Sequence, residues 1–123
     1  MIEGAVNAFY EPVVTLSLRG PGGQTQEVEA VVDTGYNGLL TLPASVATEL
    51  GLPHRGYGEA SLADGSVVEF DIYGVTVLWD GQRRHIEADE ANTIPLVGMM
   101  LLDGHNLNID VESGGRVFIQ ARG

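Results

Sequence analysis

The tripeptide Asp33-Thr34-Gly35 carries the side chain with the clearest chemical potential in this sequence. Val31 and Val32 precede it, and β-branched residues favour a strand that ends at the aspartate. Gly35 then lets the backbone turn where a side chain would clash. The pattern predicts a carboxylate at the end of a strand, and a carboxylate can transfer protons as a general acid or base. Taken alone, the tripeptide is also explained by an ordinary strand followed by a turn.

A second segment, Ile94-Pro95-Leu96-Val97-Gly98, lies further along the chain and continues into Met99-Met100-Leu101-Leu102. Together with the Asp33 loop it resembles the retropepsin family, whose members have an apolar-apolar-Asp-Thr/Ser-Gly loop and, later, an apolar-apolar-Gly strand that enters a short helix. The resemblance covers nearly the whole chain. It is closest to the small retropepsin-like aspartyl proteases of bacteria, in which the loop often continues to Leu-x-Leu-Pro, as Leu40-Thr41-Leu42-Pro43 does here.

The resemblance implies an aspartic endopeptidase that acts on a peptide or protein substrate without a cofactor. Such an enzyme needs two carboxylates that share one proton, one acting as a base toward water and the other as an acid toward the carbonyl oxygen. Because the chain has one Asp-Thr-Gly, the family's solution is implied: a homodimer with the chain ends and two Asp33 loops at its interface. In that dimer Thr34 would brace the loops across the two-fold axis, and Gly35 would leave room for the substrate backbone.

The resemblance also implies a flap, a hairpin that covers the substrate and donates backbone hydrogen bonds to it. The first hairpin after the predicted helix matches best, with Ala63, Asp64, Gly65 and Ser66 at its tip as substrate-binding residues. The tip lacks the paired glycines of retroviral flaps, and as a bare sequence it is a surface turn.

Apolar residues of the two signature segments are candidates to line substrate subsites, with core packing as the alternative for each. They are Leu39, Ile94, Leu96 and Val97.

Three residues depart from the retroviral pattern. Retroviral members usually have Ala and then Asp after the loop glycine, and an Arg after the second-signature glycine that forms an ion pair with that Asp. Here the three positions are Tyr36, Asn37 and Met99, so the pair cannot form. The implied dimer must therefore be held differently or more weakly, and Tyr36 either narrows the cleft or props up the loop.

Two alternatives stay open at this point. The first is a second acid within one chain, for which four aspartates near predicted turns are candidates, although a solvated turn or cap role explains each of them. These aspartates are Asp64, Asp71, Asp103 and Asp110. The second alternative is a non-catalytic retropepsin-like domain that dimerises or binds a peptide strand without cleaving it.

The elements that must position these residues are mostly strands. The strand pattern favours a first hairpin, two hairpins with turns at Ala63–Ser66 and Trp79–Gln82, and a terminal strand pair. Their ranges are Phe9–Leu18 with Gln26–Val32, Gly56–Ala91, and Leu107–Val111 with Arg116–Gln120. A short strand over Leu39–Leu42 precedes a helix that begins near Pro43 and ends at Gly51. The predicted fold class is mostly β, a retropepsin-like closed β-barrel (acid protease fold) with one or two short helices.

Length and composition narrow the possible functions. A chain of 123 residues is long enough for one core, so we expect a single domain over residues 1–123. The absence of cysteine excludes disulfides and cysteine nucleophiles. Six basic residues against 17 acidic ones give a net charge of −11, which repels phosphate backbones, so we expect no nucleic-acid partner.

Location and metal binding follow from what the sequence lacks. It has no apolar stretch of the roughly 20 residues that a membrane span requires, and residues 1–4 lack the basic and apolar regions of a signal peptide, so we expect a cytoplasmic protein without a membrane partner. His54, His85 and His105 are too scattered to indicate a metal site and are interpreted as surface residues.

Overall fold

Alternation of apolar and polar side chains builds the strands of the sheet. In the computed structural model, which describes residues 1–123, the strand Pro12–Arg19 buries Val14, Leu16 and Leu18 while the residues between them are more exposed. Because side chains alternate with a period of two residues, one face of the strand is directed toward the core.

The structure has ten strands and two short helices. The strands are β1 (Ile2–Val6), β2 (Pro12–Arg19), β3 (Thr25–Val32), β4 (Thr41–Leu42), β5 (His54–Ser61), β6 (Val67–Trp79), β7 (Gln82–Glu90), β8 (Leu96–Val97), β9 (His105–Ile109) and β10 (Arg116–Ala121), and the helices are α1 (Ala44–Leu50) and α2 (Met99–Leu102). The predicted mostly-β class is confirmed. Neither helix has the length and apolar character that a membrane crossing demands.

The strands form a curled sheet in the order β4-β7-β6-β2-β1-β10-β9, with β3 paired to β2 and β8, and β5 paired to β6. The sheet is not closed, in contrast to the closed barrel that we expected. β4 pairs with β7 and β8 pairs with β3, and no ladder joins β4 to β8. The strand pairing between these two segments is limited to an isolated antiparallel bridge between Leu40 and Val97.

The predicted hairpins and helices are present. Asp80 and Gly81, with φ of 51° and 79°, form the turn between β6 and β7, because an Asp-Gly pair tolerates the left-handed region that a tight hairpin requires. Helix α1 ends at Gly51, whose φ is 60° and whose N–H binds the carbonyls of Ala47 and Thr48.

The sequence prediction missed β1 and began β2 too early. Asn7 to Glu11 form a turn, because the Asn7 side-chain oxygen accepts hydrogen bonds from the backbone N–H groups of Phe9 and Glu11, both at 2.9 Å. Strand β1 precedes this turn and lies between β2 and β10, so strands near the two ends of the chain pair with each other.

A single cluster of 23 buried hydrophobic side chains forms the core. It includes Val32, Leu40, Val97 and Leu101, which flank the Asp33 loop in the sequence or belong to the second signature segment and its helix. The segments that hold the loop are therefore anchored in the hydrophobic core.

Candidate functional site

The two signature segments lie side by side. Strand β3 pairs in parallel with β8, with Val31 opposite Leu96 and Val32 opposite Val97. The backbone N–H of Asp33 donates to the carbonyl of Val97 at 2.9 Å, which continues the pairing to the aspartate itself. Asp33 therefore begins the loop at a position fixed by backbone hydrogen bonds, immediately after a buried strand residue.

The Asp33 carboxylate is half-buried and partly bound. Its Oδ1 accepts a hydrogen bond from the Gly35 N–H at 2.8 Å, and its other oxygen has no partner within the chain. A Cβ at position 35 would lie 3.2 Å from Oδ1, tighter than an ordinary contact, so glycine suits this approach. A carboxylate held on one oxygen and open on the other can exchange a proton with a water or a second acid.

Thr34 and Gly35 are exposed at the tip of the loop. The Thr34 hydroxyl makes no hydrogen bond within the chain, so its bracing of a second loop stays a prediction. Four other aspartates were candidates for an internal second acid, and none of them forms a hydrogen bond with Asp33.

Tyr36 props up the loop, which is one of the two roles that the sequence left open. Its hydroxyl donates to Asp89 Oδ2 at 2.6 Å, and burial, followed by this hydrogen bond and the Asp89 charge, raises the pKa of Tyr36 above its ordinary value. A Cβ at Gly38 would lie 2.3 Å from the Tyr36 hydroxyl oxygen, and one at Gly98 would lie 2.6 Å from its ring. The ring thus occupies space that two glycines leave free.

Sequence reasoning missed Asp89 as a partner of this loop. It lies 53 residues from Tyr36, in β7 beside Thr41 of β4. No local pattern links the two, because their contact depends on the parallel pairing of β4 with β7.

The start of α2 is tied to the loop through backbone atoms. The N–H groups of Gly98, Met99 and Met100 donate to the carbonyls of Leu39, Tyr36 and Gly38, at 3.0, 2.8 and 3.1 Å respectively. Met99 stands where the retroviral pattern has its Arg, and in this chain its contribution to the loop is the backbone N–H. The glycine before it is required, since a Cβ at Gly98 would lie 2.1 Å from the Gly38 oxygen.

Thr41 is the one buried polar residue in the core and was not recognised in the sequence. Its Oγ1 accepts a hydrogen bond from the Leu96 N–H at 2.9 Å. Because Leu96 belongs to β8, this bond joins the segment after the Asp33 loop to the second signature strand. The signal in the sequence was a threonine between two leucines that face the core.

The hairpin tip predicted as a flap is exposed at all four residues, Ala63 to Ser66. Asp64 Oδ1 accepts hydrogen bonds from the Ser66 hydroxyl at 2.6 Å and from its N–H at 2.9 Å. These two bonds, the hydroxyl first, lower the pKa of Asp64 below its ordinary value. No hydrogen bond joins the tip to the Asp33 loop, so the substrate-binding role of the tip stays a prediction.

The outer part of this hairpin projects from the body of the sheet. Tyr57, Val67 and Val68 are 65, 57 and 43% exposed, and both strands are largely exposed along this part. Exposed apolar side chains on a projecting hairpin are suited to contact with a ligand or a partner.

The four candidate subsite residues divide into two groups. Val97 is fully buried and packs in the core, whereas Ile94 is 55% exposed. Leu39 and Leu96 are half-buried. Ile94 is therefore the residue of this set that is most available to a ligand.

The histidines have local partners instead of a common ion. His105 is half-buried and accepts a hydrogen bond from Trp79 Nε1 at 3.2 Å, whereas His54 and His85 are exposed. His54 lies 3.0 Å from Asp71, which is a strand residue of β6 and not a turn residue. No group of three or more His, Asp or Glu side chains is arranged to hold a metal ion.

Comparison with solved structures identifies the architecture. A retropepsin-like aspartic protease from Rickettsia conorii is similar with a TM-score of 0.59 and 17% identity, over 99% of this chain and 91% of that one. The EIAV protease complexed with the inhibitor HBY-793 is similar with a TM-score of 0.58 and 16% identity, over 78% of this chain and 88% of that one. No family model matches the sequence, and no curated protein matches it. The chain has the fold of the retropepsin-like aspartic proteases.

Proposed function

We propose that the protein is an aspartic endopeptidase that works as a homodimer and hydrolyses peptide bonds of peptide or protein substrates. The observation that carries the proposal is the Asp33 carboxylate, which follows a buried strand in a retropepsin fold and keeps one oxygen open. The similarity to two proteases supports peptide hydrolysis as the general activity.

The proposed reaction uses one Asp33 from each chain. Two carboxylates close together share a single proton, because like charges disfavour ionisation of both. The ionised one takes a proton from a water molecule, which attacks the peptide carbonyl carbon, while the protonated one donates its proton to the carbonyl oxygen. Collapse of the tetrahedral intermediate breaks the C–N bond: the amine leaves with a proton from one carboxyl group, and a hydroxyl of the intermediate returns its proton to the other carboxylate as it becomes the carbonyl of the new acid. The pair thus ends with the single proton it started with. In this scheme the Gly35 N–H holds one oxygen of Asp33 and so orients the carboxylate.

An apolar surface around the Asp33 loop supports the dimer. Strand β2 begins beside the end of β3, with Val13 opposite Val31, so the turn between β1 and β2 lies at the Asp33 end of the sheet. Helix α2 begins there too, because its backbone binds the loop. The exposed apolar residues at this end are Phe9 (82%), Tyr10 (67%), Met100 (58%), Ile94 (55%) and Met99 (47%). We name these five residues the apolar rim.

The apolar rim, and not the chain ends, is the surface we propose for association. Burial of apolar surface stabilises a complex by roughly 25 cal/mol per Å², which can offset the repulsion between two chains of charge −11. The terminal strands are less suitable, because β1 is paired on both sides with β2 and β10, and β10 with β1 and β9. Pairing with the terminal strands of a second copy would require these hydrogen bonds to break.

The test is cleavage of a mixed peptide library, read by mass spectrometry, with the wild type, Asp33→Asn and Asp110→Asn. Asp110 is a matched control, since it is exposed and its side chain makes no hydrogen bond. We expect cleavage by the wild type and by the control, and none by Asp33→Asn with its fold retained. Cleavage by Asp33→Asn would place the chemistry elsewhere. A wild type that dimerises and binds peptides without cleaving them would favour the non-catalytic alternative.

A further inference from the structure

Three of the six basic residues of this acidic chain line one cavity, which the Asp33 carboxylate does not line. All six of its cationic residues are arginines, against 17 acidic residues. Arg19, Arg55, Arg84 and His85 line an open cavity of about 700 Å³, and the one carboxylate among its lining residues is Glu87. Half of the arginines in the chain thus face one cavity in which carboxylates are scarce.

Strand pairing brings these side chains together from four strands. Thr76 of β6 is opposite Arg19 of β2 on one side and opposite His85 of β7 on the other. Directly opposite residues of paired strands have Cβ atoms about 5 Å apart, so Arg19 and His85 flank Thr76 on one face of the sheet. The Thr76 hydroxyl lies 2.6 Å from His85 Nδ1, which fixes the imidazole beside this row.

Arg55 reaches the cavity from β5 across a glycine. Its Nε would lie 2.8 Å from a Cβ built at Gly74, so the absence of a side chain at position 74 makes room for this guanidinium. Gly74 is two residues from Thr76 on the same strand and shares its face, since side chains alternate along a strand. Arg84 of β7 also lines the cavity, although it lies opposite Val77, a fully buried core residue, and so starts from the other face of the strand than His85. It is half-buried, at a point where β7 has β6 as its only strand neighbour.

None of the three guanidiniums is neutralised within the chain. The ion pairs of the structure are those of the N-terminal amine with Asp80 and of His54 with Asp71. No arginine side chain of the cavity donates a hydrogen bond, and Glu87 forms no ion pair with any of them. Like charges gathered without counter-charges destabilise a fold, and here acidic residues are nearly three times as numerous as basic ones.

We propose that this cavity binds a compact anion with two or more negative charges, held by the guanidiniums of Arg19, Arg55 and Arg84. Guanidinium groups present their N–H donors as planar forks that match the paired oxygens of a phosphoryl group or a carboxylate. The volume is in the range of small-molecule sites, about 300–1,000 Å³. The ligand chemistry is therefore that of a phosphorylated small molecule or a polycarboxylate. The proposal is independent of peptide hydrolysis at Asp33.

Calorimetric titration of the full chain with pyrophosphate at low salt tests the site, with citrate, acetate and chloride as further ligands. We expect binding of pyrophosphate or citrate that weakens as NaCl is added, because screening reduces attraction between charges near the surface. Tighter binding of pyrophosphate would assign the site to phosphoryl groups, and tighter binding of citrate would assign it to carboxylates. Acetate and chloride should bind weakly. Binding of neither polyanion more tightly than acetate would overturn the proposal.

Variants connect the binding to the cavity. Arg55→Gln and Arg84→Gln should each weaken the binding of the polyanion by about tenfold or more, because a charge-assisted hydrogen bond is lost. The matched control is Arg83→Gln, which removes the same charge from the adjacent position of β7, outside the cavity lining. It should change the dissociation constant by less than about twofold. An equal loss of affinity in Arg83→Gln and Arg84→Gln would show attraction to general surface charge and would overturn the assignment.

Thermal unfolding guards against variants that bind poorly because they are misfolded. Without anion, the arginine variants should unfold near the wild-type temperature, since each removes a local like-charge repulsion but takes the net charge of the chain from −11 to about −12. At a polyanion concentration that saturates the wild type, the wild type and Arg83→Gln should gain the same stability and the cavity variants clearly less, because the gain depends on the dissociation constant for the folded state. Equal stabilisation of Arg55→Gln by the polyanion would contradict the site.

Discussion

Replacement of Tyr36 by Phe removes one hydroxyl from the structure and leaves its ring in place. The ring fills the space beside Gly38 and Gly98, so the substitution creates no large cavity. What it removes is the hydrogen bond from the hydroxyl to Asp89 Oδ2, at 2.6 Å. The expected change in stability therefore reports this bond directly.

The magnitude follows from the charge and the exposure of the pair. Hydrogen bonds to charged groups contribute about 1.5–3 kcal/mol, and a short one belongs to the strong kind. Both residues are half-buried, so water can reach Asp89 once the hydroxyl is absent. We therefore expect the lower limit, a loss of about 1.5 kcal/mol in the free energy of unfolding. For a domain of this size that corresponds to a fall of about 5 °C in Tm.

The pH dependence gives the same bond a second signature. In the folded state the pKa of Tyr36 is raised, mainly by burial and to a smaller extent by Asp89. In the unfolded chain a tyrosine has a pKa of about 10. Above that pH the unfolded state loses a proton that the folded state keeps, so the free energy of unfolding falls as pH rises. The stability that protonated Tyr36 contributes to the folded state is complete below about pH 10 and declines above it. The Tyr36→Phe variant lacks this contribution at every pH. The stability difference between wild type and Tyr36→Phe should therefore shrink between pH 9 and 11.

Urea unfolding followed by fluorescence at pH 7, 9 and 11 measures both effects. Tyr57→Phe is the matched control, because Tyr57 is 65% exposed and its hydroxyl makes no hydrogen bond. It should leave the free energy of unfolding within about 0.5 kcal/mol of the wild type at pH 7. Equal midpoints for Tyr36→Phe and Tyr57→Phe, or a stability gap for Tyr36→Phe that stays constant to pH 11, would refute the reasoning.

Three further predictions concern the loop and the proposed dimer. Gly98→Ala should lower the free energy of unfolding by about 3 kcal/mol in chemical denaturation, because its Cβ would overlap the Gly38 oxygen at 2.1 Å; a wild-type midpoint would contradict this. Dimerisation should tighten as salt rises and as pH falls toward the pI of about 4.3, because both reduce the repulsion between the two chains. The substitution Met100→Glu should weaken dimerisation. Sedimentation that finds a strict monomer at pH 5 and moderate salt would refute the dimer. If the proposed dimer pairs two Asp33 carboxylates that share one proton, cleavage rates should give a bell-shaped pH profile on the acidic side of neutral. A rate that climbs steadily to pH 9 would exclude that pair.

Local features of the sequence were sufficient to predict most of the elements. The helix between Pro43 and Gly51 and the hairpin turn at Asp80-Gly81 depend on backbone preferences of single residues, which act over a few positions. The alternation in β2 depends on one face being buried, whatever covers it. Strand β1 was missed because its residues Ile2–Val6 lack strong alternation and include Gly4, whose position is explained only by the close approach of the Val13 oxygen.

The sequence also identified the candidate site, because the retropepsin resemblance depends on residues that are close together in the chain. The Asp33 loop and the Leu96-Val97-Gly98 segment are each continuous. It could not show that the two lie side by side, since the parallel pairing of β3 with β8 joins strands far apart in the sequence. Nor could it decide that Val97 belongs to the core while Ile94 is exposed.

Only the tertiary structure decided what surrounds the loop. The contact of Tyr36 with Asp89, the open sheet, and the cavity shared by Arg19, Arg55 and Arg84 all join residues from different strands. Such contacts arise from the register between paired strands, which is set by the burial of whole faces and leaves no mark at any single position. The sequence by itself determined which residues could form strands, turns and a reactive carboxylate, and the packing of the sheet determined which of them meet.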